Sequence, residues 1–307
     1  MVEIPGMLHG ACTREHAIAA LGSYQVKAAV RAGALVSLWP RVLVQASRHL
    51  DSWTRAAAAT LTVGTGAVLW GPTAAMLHGC TAARTAAVRV AVPYNRWSRP
   101  QHGLVIRHGR VRPDDICQLD ALPVMILEVA IGELLCTAPP RFALACADQA
   151  MAAQPTDRRA GFAAAIADYL ARRIDRRGLR QATGLIELIS GDVESPRESW
   201  LRLLVVEAGL PRPVVQHPVC DIDGREVWRL DLAWPQLRIA LEYDGYVAHF
   251  GRTAQDHARD EDLRRRGWVV VHAGSADLRN PERVLDELTA AFRRRGGTIG
   301  PWRAVAV

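Results

Sequence analysis

Lysine is almost missing from this chain of 307 residues: Lys27 stands alone, and the other 37 of its 38 Lys+Arg residues are arginine. A GC-rich genome produces the same excess, so the formal charge of +7 does not by itself name a polyanionic partner. Cysteine is sparse as well. The six residues (Cys12, Cys80, Cys117, Cys136, Cys146, Cys220) include no CxxC pair, which excludes a disulfide framework or a zinc knuckle and fits a reducing cytoplasm. No apolar run reaches the roughly 20 residues that span a bilayer. The nearest stretch, Ala56 to Ala83, is interrupted by Thr60, Thr62, Gly64, Gly66, Pro72 and His78, and reads as two buried helices joined by a turn. Glu3 and Pro5 stand where a secretory signal would place positive charge and an apolar core, so no export segment is visible. Charge is low for a disordered chain: 50% of residues are hydrophobic and 22% charged, which predicts a folded protein of two or three domains.

The arginines are unevenly spread. From Asp192 to the end there are 17 Arg against 18 acidic residues, which leaves a surplus of +8 in residues 1–191. A basic N-terminal part suits a polyanion, and the more acidic C-terminal part suits carboxylate chemistry.

Residues 1–50 read as a helix pair followed by a hairpin. Thr13 is an N-cap for REHAIAAL, Gly22 breaks that helix, and SYQVKAAVR ends at Gly33, a residue suited to a left-handed cap. The run ALVSLWPRVLV alternates around Trp39, Pro40 and Arg41 as two short strands and a turn. The order is that of a winged helix-turn-helix. Gln25, Lys27, Ala28 and Arg31 would face a DNA groove, with Arg41 on the wing, while Val26, Ala29 and Val30 pack inward. An ordinary helical hairpin with a solvated basic edge has the same pattern. With its RAGALVSLWPRVLV run, this stretch resembles the N-terminal winged helix of the AbiEi antitoxin family. That resemblance implies duplex DNA as partner, and a cognate toxin.

Residues 51–188 are expected to form a mixed α/β middle domain. Helices around 55–61 and 73–78 precede the strands VRVAV and GLVIRH, and the loop between them offers Arg96 and Arg99 beside Tyr94 and Trp97, for backbone phosphates and base stacking or simply as an exposed tip. LPVMILEVAIGELL and RFALACADQAMAA read as core helices with Glu128 and Glu133 on their polar sides. A last helix would carry Arg172, Arg173, Arg176, Arg177 and Arg180 as a positive stripe or a solvated face.

Residues 189–296 follow the order αβββαβα, with 297–307 as a tail, so the whole chain is expected to be α/β in the broad sense, α+β overall. Asp231 falls on the second strand, and Glu242 and Asp244 share one face of the third. Hairpin pairing would bring Asp231 alongside, and three carboxylates on one face would need a cation such as Mg²⁺ or Mn²⁺. Polar residues on a solvent face would give the same letters. Apolar flanks (Leu230, Leu232, Ala240, Leu241) favour the first reading.

SPRESWLRLL, DLAWP, LEYDG, His249 and DLRRRGWVVVH, in that order, resemble the bacterial domain family related to the very-short-patch repair (Vsr) endonucleases, of the PD-(D/E)XK superfamily. The resemblance spans about a hundred residues and implies an αβββαβ nuclease core. Asp231 and Glu242 match its metal-binding carboxylates, Glu198 the acid of the first helix, and His249 the histidine after the third strand. The superfamily's lysine is replaced by Asp244. Ser195 and Glu198 also spell a capping box, which would give Glu198 a structural role. Arg259, Arg264, Arg265 and Arg266 would hold phosphate oxygens or pair within their helix. Two functions are therefore expected from the sequence. One is a DNA-binding protein with a metal-dependent endonuclease domain in which His249 activates water. The other is a non-enzymatic AbiEi-type antitoxin and transcriptional regulator of a type IV toxin–antitoxin system, with a degenerate nuclease fold.

Overall fold

The computed structural model describes residues 4–95, 99, 101–109, 111–244 and 254–301, and the fold is α+β. The chain divides into two compact units, Met1–Leu134 and Leu135–Val307.

The first unit opens with strand β1 (Ala11–Thr13), helix α1 (Arg14–Leu21), helix α2 (Ser23–Arg31) and strands β2 (Leu35–Trp39) and β3 (Val42–Gln45). The Thr13 hydroxyl accepts the His16 amide and starts α1. Gly33, at φ 69°, lets the chain turn back after α2, so that the Ala34 amide reaches the Ala29 carbonyl. The sheet runs β1-β3-β2, all antiparallel, and β1 is a strand the sequence pattern does not show. Ala17, Val26, Ala29, Leu35 and Leu43 form its core.

Helix α3 (Ser52–Val63) follows, its N-terminus closed by the Asp51 carboxylate on the Thr54 amide and its Ala56–Ala59 run fully buried. Strand β4 (Val68–Leu69), helix α4 (Gly71–Leu77) and strands β5 (Val88–Val92), β6 (Leu104–His108), β7 (Ile116–Leu119) and β8 (Leu122–Met125) complete a sheet ordered β6-β5-β4-β8-β7. Helix α5 (Leu127–Thr137) comes next. Leu122–Met125 is thus a strand paired with β7, not the start of a helix, because the tight turn at Asp120 and Ala121, both at positive φ, sends it back along Ile116–Leu119. Glu133 is not on a polar side: it is 1% exposed and ion-paired to Arg107.

The second unit contains helices α6 (Pro140–Ala152), α7 (Arg159–Arg172), α8 (Leu179–Ile186) and α9 (Pro196–Glu207). The expected arginine stripe does not form. Helix α7 ends at Arg172, Arg173 turns inward onto the Asp175 and Arg177 carbonyls, and α8 restarts after Gly178, at φ 74°. Helices α6 and α9 meet through polar groups: Asp148 accepts both from Arg202 Nη2 (2.6 and 2.8 Å) and from the Ser199 hydroxyl (2.6 Å), and also caps the Ser190 amide. Strands β9 (Val214–Cys220), β10 (Glu226–Trp234) and β11 (Ile239–Tyr243), helix α10 (Ala254–Arg265), strand β12 (Val269–Ala273) and helix α11 (Glu282–Arg294) finish the order αβββαβα. The sheet runs β12-β11-β10-β9, with β11 and β12 parallel. Leu232, Trp234, Ile239 and Leu241 share one core cluster with Leu201, Leu204, Leu288 and Phe292 from α9 and α11. Ala233, Ala240, Leu263 and Trp268 form another cluster. Among the described residues no helix is long and apolar enough to cross a membrane.

Candidate functional site

The β10–β11 hairpin pairs Leu232 with Leu241, so the next opposed positions are Asp231 and Glu242. There the ladder of backbone bonds gives way to side chains. The Tyr243 amide donates to Asp231 Oδ2 at 2.9 Å, and the Asp231 amide donates to Glu242 Oε1 at 3.4 Å. The hairpin register thus brings the two carboxylates together on one face, as the sequence implies, and each also caps the other strand. Glu198 on α9 joins them. Its own amide donates to Ser195 Oγ, and its carboxylate accepts from the Glu194 amide (3.1 Å) and from Gln216 Nε2 (2.9 Å). The capping role is therefore real, displaced by one residue from the usual box, and Glu198 still lies close enough to feel the charge of Asp231.

All three carboxyls are held above their usual range. For Glu198 and Glu242 burial is the main cause and the charge of Asp231 adds to it; for Asp231 burial leads, opposed by the Tyr243 amide and by Arg259. The compensating cation is built in. Arg259, on α10, sets its Nη1 2.8 Å from Glu242 Oε2, donates from Nη2 to the Arg229 carbonyl (2.7 Å) and lies over the Trp228 ring. Neither phosphate nor an intrahelical acid is needed to explain this arginine, whereas Arg266, just past the end of the helix, does pair back onto it with Asp262.

Asp244 takes another partner: its Oδ1 lies 3.1 Å from His272 Nδ1 on β12, and Asp260 lies 3.3 Å from the other ring nitrogen. His249 lies outside the described residues. A Mg²⁺ or Mn²⁺ ion does not fit this donor set as the sequence leads one to expect. Among the described residues no three Asp, Glu, His or Cys side chains have a metal-holding arrangement. One oxygen of Glu242 is taken by a guanidinium, and the facing oxygens of Asp231 and Glu242 serve backbone amides. Gln216 and His272 belong to the neighbourhood and were not legible. Gln216 sits at φ 51° opposite Asp231, a conformation that glutamine does not advertise. His272 closes the apolar run of β12, and only the parallel register places it beside Glu242.

The basic face at the N-terminus is as the helix period requires. Gln25, Lys27, Ala28 and Arg31 are exposed on α2 while Val26 and Ala29 are buried. Arg41 is exposed at φ 66° in the β2–β3 turn, its carbonyl accepting the Arg14 amide. Trp39, beside that turn, is buried and donates to the His102 carbonyl. Arg99 is exposed, and Arg96 lies outside the described residues.

Residues 66–189 match the AbiEi antitoxin C-terminal domain. The match falls on the segment after the N-terminal module, not on the fifty residues whose RAG run suggested that family. Two relatives are the uncharacterised proteins MT2308 and Rv2248 from two strains of Mycobacterium tuberculosis, each 33% identical over 259 residues, covering 83% of this chain and 91% of theirs. A crystal structure of the RV2827C protein from Mycobacterium tuberculosis superposes with a TM-score of 0.39 and 15% identity, over 62% of this chain and 74% of that one. The chain thus belongs to the family of the mycobacterial MT2308 and Rv2248 proteins and carries, across residues 66–189, a match to the AbiEi antitoxin C-terminal domain.

Proposed function

We propose that the protein is a DNA-binding regulator of the AbiEi antitoxin type that acts by binding and has a toxin protein as its second partner. The observation that carries this reading is the antitoxin-domain match at residues 66–189, preceded in the chain by helix α3 and, before it, a helix pair and hairpin with an exposed basic face. In this reading residues 1–50 are a winged helix-turn-helix. Helix α2 enters the major groove with Gln25, Lys27 and Arg31, and Arg41 on the wing meets the adjoining backbone. The C-terminal αβββαβα segment is a Vsr-like scaffold whose acidic pocket has its cation supplied by Arg259.

The convergence of Glu198, Asp231 and Glu242 favours a second, hydrolytic reading, in which Asp231 and Glu242 hold Mg²⁺ or Mn²⁺ and His249 serves the attacking water. Arg259 on Glu242 stands against it. One experiment separates the two. The full chain is assayed for retardation of a duplex carrying its own upstream region and, in parallel, for nicking of supercoiled plasmid with Mg²⁺ or Mn²⁺. Regulation requires retardation that Lys27→Ala/Arg31→Ala weakens, with the slope of log affinity on log salt falling by about 0.9 for each lost phosphate contact. Unchanged retardation by that variant removes the winged-helix assignment. Nicking that Glu242→Gln abolishes would replace regulation by hydrolysis.

A further inference from the structure

The sheet of the first unit carries a second charged cluster. Strands β5 and β6 run parallel with Arg89 opposite Val105 and Ala91 opposite Arg107, so Arg89 and Arg107 stand on one sheet face two positions apart. Both guanidiniums lie over the same indole, 5.8 Å and 5.1 Å from the ring centre of Trp70. Trp70 is 7% exposed. Arg107 is neutralised by the buried carboxylate of Glu133. Arg89 is not: among the described residues no carboxylate pairs with it, and its Nε is buried without an acceptor. The indole Nε1 of Trp70 is buried without one too.

Two positive groups share one ring and only Arg107 has a carboxylate, so the cluster keeps a surplus of one positive charge and two orphaned donors. Such groups are rare in native interiors and mark a place for an ion or polar ligand. We propose that Trp70, Arg89 and Arg107 form an oxyanion site that takes a phosphate group, either from a nucleic-acid backbone or free in solution. The donors come from three side chains, and a tetrahedral oxyanion can accept on several oxygens at once, whereas a planar carboxylate is what Arg107 already has. Arg107, with its side chain 38% exposed, gives the ligand its way in. Guanidinium groups stacked on an aromatic face keep their N–H edges free for such an acceptor. The site is independent of the N-terminal module.

The test uses the full chain with inorganic phosphate, a short duplex of random sequence and a polyglutamate peptide, read by calorimetric titration. Phosphate should bind the wild type, Arg89→Gln should weaken it about tenfold through loss of a charge-assisted hydrogen bond, and Glu133→Gln should strengthen it by releasing Arg107. Lys27→Ala/Arg31→Ala should leave phosphate affinity unchanged, which keeps this outcome distinct from failure of the proposed DNA reading. Duplex binding that also falls with Arg89→Gln identifies the backbone as source; phosphate binding alone identifies the free ion. Equal phosphate affinity in wild type and Arg89→Gln overturns the proposal, as does binding of the peptide alone. Should Arg89→Gln not fold, Glu133→Gln decides: unchanged or weaker phosphate binding rejects the site.

Discussion

Asp148→Ala should destabilise the second unit more than almost any surface change in it. Arg202 is 0% exposed and Asp148 1%, and a single nitrogen of the guanidinium, Nη2, reaches both carboxylate oxygens. The other two nitrogens, Nε and Nη1, are buried without acceptors among the described residues. Burial pushes the Asp148 carboxyl up, and Arg202, the Ser199 hydroxyl and the Ser190 amide draw it back. Removing one partner of such a pair strands the other charge at a cost of about 3–5 kcal/mol. Each kcal/mol moves the midpoint of a unit this size by about 2–4 °C, so a fall of about 6–20 °C is expected. Because the pair already pays for two orphaned nitrogens, the double variant Asp148→Leu/Arg202→Met should stay within about 1 kcal/mol of wild type or exceed it. Calorimetric unfolding of the full chain, with Asp148→Ala beside the cycle formed by Asp148→Leu, Arg202→Met and their double, measures both quantities. A single variant that loses less than about 1 kcal/mol would show that water reaches the pair and would refute the reasoning.

Glu198→Gln should stabilise the protein near neutral pH. Its carboxyl is raised by burial and by Asp231, so above the unfolded value of about 4.3 the unfolded state releases its proton first and gains. The advantage of the glutamine variant should therefore be smallest near pH 4 and grow as pH rises through the folded value; an advantage largest at pH 4 would contradict it. Cysteine alkylation of the native chain at pH 8 should modify exposed Cys220 well before buried Cys80, since burial pushes the Cys80 thiol up to about 12; mass spectrometry showing early labelling of Cys80 would place it at the surface.

Features governed by a few neighbouring residues were legible. Thr13 and Ser195 cap their helices as their positions require, Gly33 and Gly209 take the left-handed turns that end α2 and α9, and hairpin pairing puts Asp231 opposite Glu242. What failed depended on partners far along the chain. Arg259 stands three residues from Asp256 on one side and from Asp262 on the other, both at helical pairing distance, and only the packed sheet selects Glu242. Leu122–Met125 is apolar enough for either a helix or a strand, and the reversal at Asp120 and Ala121 decides. The run of arginines from 172 to 180 has helical spacing, but Arg173 is extended and Gly178 is left-handed at φ 74°, close against the Cys136 carbonyl, so the helix is broken between them. Glu133 looks solvated until Arg107, 26 residues earlier, arrives beside it.

The reciprocal hold between Asp231 and Glu242 changes what a substitution there measures. Each carboxylate staples the opposite strand by its amide, at the point where the two chains part company. Truncating Asp231 to alanine unfastens Tyr243 and frays that corner, so any lost behaviour would report on a loosened hairpin rather than on missing chemistry. Asparagine, which can still receive the Tyr243 amide, is the replacement that keeps the seam closed while removing the charge.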